Sequence, residues 1–393
     1  MNINDWRAKH PKLLTLLIIL ILTILFLWLT ISLPLTKVNH MQIVEADGLT
    51  VNTATPSDTT TEVTPKKEKV PEKEIHAIYL TAYSAGSPTK VDKIIASIKG
   101  TAINAVVIDI KDYSGYLSYD SNIALVNELD LEQIKIKDIK SVIDKFRQND
   151  IYTIARIAVF QDPALATKRP TWAVQNKSTG QNWKDNKGLS WLDPSNSAVW
   201  KYHTEIAREA INIGFNEINL DYVRFPSDGA ISVMVFPKWK DGTKADVIKS
   251  FFTFFAKELM TEPAYTSVDL FGLTTTVTND MNIGQVLENA TPYFDYVCPM
   301  VYPSHYPDGY LGYNNPADHP YEVIFKAVET ANERMATGTP PRAKIRPWIQ
   351  DFDLGATYTA SMIKAEIKAI KDAKGFGYLV WDPKNIYTWE AFK

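Results

Sequence analysis

From residue 75 onward the chain alternates short β-branched or aromatic runs with segments of helical period, and it does so eight times. The strand-like runs fall at 75–83, 105–111, 152–160, 217–224, 267–275, 296–302, 344–350 and 377–381. Helical patterns occupy 89–99, 133–148, 198–213, 243–260, 283–290, 320–336 and 359–373, with a short terminal helix possible after Ile386. Strand–helix–strand units make parallel sheets, and eight of them predict an α/β fold, a closed (β/α)8 TIM barrel over residues 74–393. An open doubly wound sheet is the alternative. It usually has five or six strands, and no G-x-G-x-x-G turn follows the first run.

The segment before the barrel has a different character. Residues 13–35 carry no charge and are dominated by Leu and Ile, and about 20 such residues span a bilayer core as a helix. Arg7, Lys9 and Lys12 precede the block while only Lys37 closely follows it, which predicts a cytoplasmic 1–12 and an extracytoplasmic remainder. A cleaved signal peptide has a shorter apolar core, of about 7–15 residues, and Ser32-Leu33-Pro34-Leu35 is a poor cleavage site. Residues 36–73, rich in Thr, Pro, Glu and Lys, read as a flexible linker. The expectation is a single-pass cell-membrane protein with a transmembrane anchor.

With 42 Lys and Arg against 45 Asp and Glu, the chain has a formal charge of −3 and lacks the basic excess that nucleic-acid binding uses. Its single cysteine, Cys298, cannot make an internal disulfide and reads as a buried core residue. No obligate protein partner is evident.

Barrel enzymes place their chemistry at the C-terminal ends of the strands. In the fourth run, Gly214 to Pro226, two-residue alternation puts Asn219 and Asp221 on one face. A carboxylate pointing into a barrel is costly unless paired or functional. Pairing with Arg156 or Arg224 is the plain structural alternative for Asp221. Alternation likewise puts Asp109 and Lys111 of the second run on one face, as an inward ion pair or as ligands. Arg156, Asp269, Tyr302, Gln350 with Asp351, and Trp381-Asp382 end or follow the other runs. Asp269 could also be a buried structural carboxylate, and Asp351 and Asp353 solvated loop acids.

Two carboxylates across a cleft are what glycosidic hydrolysis uses, one as acid and one as nucleophile or base. Asp221 with Asp269 is the expected pair, with Asp221 and either Asp351 or Asp353 in reserve. The long loop after the third run carries Trp172, Trp183 and Trp191, whose indoles suit sugar rings, unless they only pin the loop to the barrel. There is no H-E-x-x-H, no G-x-S-x-G and no Walker A loop. A metal site is not expected, nor is a cofactor.

Ala77-Ile78-Tyr79-Leu80-Thr81-Ala82-Tyr83, the stretch Asn104 to Asp112, Gly188-Leu189-Ser190-Trp191-Leu192-Asp193-Pro194, Gly214 to Pro226 and Val268-Asp269-Leu270-Phe271-Gly272 together resemble the putative glycosyl hydrolase family of bacterial TIM-barrel proteins. The likeness covers nearly all of residues 75–390. It implies a glycosidase-like barrel of uncertain substrate whose fourth strand ends in a catalytic carboxylate, a role that Asp221 matches. The fourth run is also similar to that of chitinase-like barrels, which place a catalytic glutamate where this chain has Val223.

The resulting expectation is a glycoside hydrolase acting on a cell-surface or extracellular polysaccharide. Asp221 would be nucleophile or base and Asp269 the acid. Asp109, Lys111, Arg156, Arg224, Tyr302, Gln350, Asp351, Trp381 and Asp382 would bind substrate or tune the acids, and Trp172, Trp183 and Trp191 would stack on sugars. The alternatives are a non-catalytic barrel that binds cell-wall glycan as a scaffold, or another cell-wall hydrolase such as an amidase.

Overall fold

Eight parallel strands close on themselves. In the computed structural model, which describes residues 68–337 and 341–393, they are β1 His76–Leu80, β2 Ala105–Lys111, β3 Tyr152–Ala158, β4 Glu217–Asp221, β5 Tyr265–Phe271, β6 Tyr296–Met300, a two-piece β7 and β8 Tyr378–Trp381. β7 comprises Lys344–Ile345 and Trp348–Gln350, because Pro347 between them has no N–H to give the ladder. Its first piece pairs with β6, its second with β8, and Trp348 opposite Met300 completes the ring. The expected eight-stranded TIM barrel is present.

The outer helices follow in order: α1 Pro88–Ile98, α2 Ile139–Arg147, α3 Ser197–Ile213, α4 Lys244–Leu259, α5 Leu287–Ala290, α6 Pro320–Ala336 and α7 Ala360–Asp372, with a 3-10 turn at Trp389–Phe392. α2 begins six residues later than the helical period suggests, because Asp138 caps it by accepting a bond from Ser141 N–H. Thr243 and Asp246 form a reciprocal capping box that starts α4. β4 stops three residues short of the expected end, since Tyr222 takes a positive φ of 54°.

Among the described residues no helix is long and apolar enough to cross a membrane. The expected cytoplasmic tail, the anchor at 13–35 and most of the linker lie outside the described residues.

Alternate residues of each strand face inward and fill the barrel. Tyr79, Val107, Ile154, Cys298, Trp348 and Leu379 form the apolar part of that filling, separate from the larger layer between strands and helices. Cys298 is fully enclosed, and burial pushes its thiol above the ordinary range. Beside it, in the same interior, lies an ion pair between Glu217 and Arg346, both side chains 0% exposed. Glu217 also accepts bonds from Ser267 Oγ at 2.6 Å and Tyr152 Oη at 3.2 Å.

A buried pair with this many donors is costly to break from one side, because the survivor is left charged in an apolar interior. Arg346→Met is expected to destabilise the barrel by about 3–5 kcal/mol in urea unfolding. Adding Glu217→Leu should recover much of that loss; a double variant less stable than the single one would show that the pair is not the source.

Candidate active site

Register places three strand ends side by side. Asp109 on β2 stands opposite Arg156 on β3, and the next strand brings Asp221 opposite Ala158, two residues above Arg156. Arg156 therefore reaches both acids: Nη1 donates to Asp109 Oδ1 at 2.5 Å and Nη2 to Asp221 Oδ2. Its Nε lies 3.9 Å from Asp269 Oδ2 on β5, and the guanidinium rests over the rings of Tyr79 and Trp381 at 5.7 and 5.1 Å. One cation serves three carboxyl groups.

The three differ in their remaining partners. Asp109 Oδ2 accepts from Tyr79 Oη at 2.5 Å, and Asp221 Oδ1 accepts from Tyr222 N–H at 2.5 Å. Asp269 Oδ1 accepts from Asn219 Nδ2 and Trp348 Nε1, both at 2.8 Å, whereas its Oδ2 has no hydrogen-bond partner. Burial holds Asp109 above the usual carboxylate range despite Arg156 and Tyr79. Burial, followed by the charge of Asp221, holds Asp269 well above that range.

Two cavities open over this cluster. One of about 290 Å³ is lined by Asp221, Arg224, Phe271, Met300, Tyr302 and His305. The other, of about 520 Å³, is lined by Tyr79, Asp109, Asp112, Arg156, Lys187 and Trp381. Tyr222 lines both. Asp269 is 1% exposed and lines neither, while Asp221 is 6% exposed at the edge of the first.

Not all of the expected ligands converge here. Lys111 does not share a face with Asp109, because the register slips between them; Lys111 aligns with the outward Ile157 and is buried in an ion pair with Asp162 at 2.9 Å. Trp183 and Trp191 are 1% and 2% exposed, with Nε1 donating to Ala230 O and to Asp185 Oδ2, so they pin the loop and offer no free face. Trp172 is partly buried against the same core. Gln350 is enclosed, accepting from Ser304 and donating to Phe352 O. Asp351 accepts from Thr388 N and Oγ1, and Asp382 from Lys384 N and Ile386 N, so both carboxylates tie loops. These two line a separate cavity of about 370 Å³ with Phe352 and Tyr358.

Tyr79 and Tyr222 were not among the expected site residues. Tyr79 carried a signal: the two-residue alternation that faces Ala77 inward also faces Tyr79 inward. Nothing in the sequence marked Tyr222. Among the described residues no cluster of His, Cys, Asp and Glu suits a metal ion.

The architecture recurs in solved structures. The PgaB (BpsB) glycoside hydrolase domain from Bordetella bronchiseptica superposes with a TM-score of 0.57 at 11% identity, covering 79% of this chain and 94% of that one. Alpha-L-fucosidase isoenzyme 2 from Paenibacillus thiaminolyticus gives 0.53 at 12% identity, covering 81% of this chain and 48% of that one. At such identities the likeness is one of fold. A hypothetical protein from Ruminiclostridium thermocellum is 37% identical, covering 49% of this chain and 96% of that one, with a TM-score of 0.45. No curated protein matches the chain. Residues 77–387 match the family described as the putative glycosyl hydrolase domain, and the chain belongs to that family.

Proposed function

We propose that the barrel hydrolyses glycosidic bonds of a cell-surface or extracellular polysaccharide, held outside the cell by an anchor at residues 13–35. One observation carries the chemistry: a single guanidinium, that of Arg156, clamps two carboxyl groups that face adjoining cavities at the strand ends.

Such hydrolysis needs one carboxyl that is protonated and within reach of the leaving oxygen. Burial shifts Asp269 toward its protonated form, but it lines neither cavity. Burial shifts Asp109 the same way, and Asp109 faces the larger of the two cavities. In this reading Asp109 gives its proton to the glycosidic oxygen as the C–O bond breaks. Asp221 attacks the anomeric carbon or takes a proton from the attacking water. Asp269 is a positioning residue behind them, and Tyr79 and Arg156 orient the acid.

A second reading, a barrel that binds glycan without cleaving it, also has an observation behind it. Asp221 is the one carboxylate among the residues lining its cavity, and both its oxygens are engaged.

Cleavage and binding respond differently to Asp221→Asn. Under the hydrolase reading, release of reducing ends from a polysaccharide panel that includes cell wall falls at least about 100-fold with the melting temperature preserved. Undiminished cleavage would remove Asp221 from the mechanism. A wild-type protein that binds glycan but releases no reducing ends would favour the scaffold, and new amines instead would mark an amidase.

Asp269 supplies a pH test. Its carboxyl keeps its proton to higher pH in the folded chain than in the unfolded one, where it titrates near 3.9. Over that interval the native state binds more protons, so this group's contribution to stability falls as pH rises. Asp269→Asn removes the group, so its stability relative to wild type should improve steadily from pH 4.5 to pH 7.5 in urea titrations. A stability relative to wild type that fell with rising pH would contradict a neutral Asp269.

A further inference from the structure

Arg224 lies three residues beyond Asp221 and lines the same cavity. Its guanidinium sits among aromatic faces, 4.8 Å from the ring centre of Trp191, 4.8 Å from Phe271 and 5.4 Å from Tyr222. Trp191 meets Tyr222 edge-on at 6.0 Å, so the rings brace one another as well as the arginine. Nη1 donates to Phe225 O at 3.3 Å and to Ser227 Oγ at 3.1 Å. Nε and Nη2 have no protein partner among the described residues, and neither is sealed off from solvent. Arg224 forms no ion pair there either: Asp221 is bonded to Arg156, and Asp221, Asp228 and Asp185 act on Arg224 only at longer range.

A cation packed between aromatic rings at the edge of a cavity, with no counter-charge in contact, is an incomplete arrangement. Nε and Nη2 are the pair that grips a carboxylate side-on through two parallel bonds, and the aromatic clamp fixes their direction in advance. We propose that Arg224 recognises a carboxylate on the sugar unit bound beside Asp221, so that the substrate is a uronate-bearing polysaccharide. This rests on the glycosidase reading for its choice of ligand class. Tyr302 and His305, across the cavity, add a polar edge without a second cation.

The test uses the full chain with polygalacturonate, alginate and hyaluronan, each beside its carboxyl-reduced counterpart, and with a sulfated neutral glucan as a further anionic arm. The expected result is that at least one uronate polymer is cleaved about 10- to 100-fold faster than its reduced form. Arg224→Gln should bring that ratio close to one, and Arg224→Lys, which keeps charge but loses the fork, should leave it intermediate. Equal cleavage of both forms by the wild type, a ratio that survives Arg224→Gln, or a preference for the sulfated glucan would overturn the assignment.

Affinity electrophoresis of Asp221→Asn in the same polymers separates this proposal from the one it rests on. If no polymer is cleaved but the uronate form retards the protein in an Arg224-dependent way, hydrolysis fails and recognition stands. If neither form retards it, recognition fails.

Discussion

The barrel mouth is organised around Arg156. Three carboxyl groups converge within reach of one guanidinium, and Asp109, Asp221 and Arg156 are each at least 94% buried. Placing three negative charges there with one positive charge would leave a large uncompensated cost, since ions resist transfer out of water by several kcal/mol each even after relaxation. The cluster answers by holding Asp109 and Asp269 toward their neutral forms, one by burial against a cation and one by burial beside another carboxyl. Arg156 works against both shifts while it bridges two of the acids. Remove it and the bridge has no replacement, because nothing else among the described residues contacts both Asp109 and Asp221 with a charge.

That convergence depends on the backbone in two places. β3 must lie between β2 and β4 in register, which the Asp109–Arg156 and Ala158–Asp221 pairings provide. β4 must also end at once after Asp221, and the positive φ of Tyr222 achieves this at a cost on the order of 1–3 kcal/mol for a residue with a Cβ. The turn aims the Tyr222 N–H at Asp221 Oδ1 and sets the ring at the boundary between the two cavities. Further down, the Glu217–Arg346 pair on the same inward face braces β4 against β7.

What was legible in the sequence follows from which signals are local. Strand and helix order came from periodicity, which each segment carries within itself, and eight alternations left little freedom in architecture. The Asp221–Arg156 pairing was open to the same alternation argument. Lys111 was misplaced because alternation assumes an unbroken ladder, and the slip after Asp109 turns Lys111 to the other face. Glu217 shares the inward face with Asn219 and Asp221, but its partner Arg346 lies 129 residues away and only closure of the barrel joins them. The tryptophans after β3 misled for a related reason: a long loop rich in indoles looks like a ligand platform until Trp183 and Trp191 are seen folded under it.

The number of donors around each carboxylate separates loop knots from chemistry better than position in the chain does. Asp185 accepts from Gln161, Lys187 N, Leu189 N and the Trp191 indole, and Asp193 from Ser195 N and Oγ and from Lys238 N. Asp185 ties the loop that leaves β3 to itself and Asp193 joins it to the loop that leaves β4, as does a short antiparallel pairing of Gln175–Asn176 with Met234–Val235. Most of their lone pairs are taken, so they have little left to offer a reacting bond. At the mouth the supply runs short: Asp269 Oδ2 and Arg156 Nε are buried without hydrogen-bond partners. Buried polar atoms left unsatisfied are expensive and therefore rare, and they concentrate where a fold serves something other than its own stability. The loop acids thus tie the walls of the cavities, while Asp269 and Arg156 keep unpaired atoms behind the acids that face those cavities.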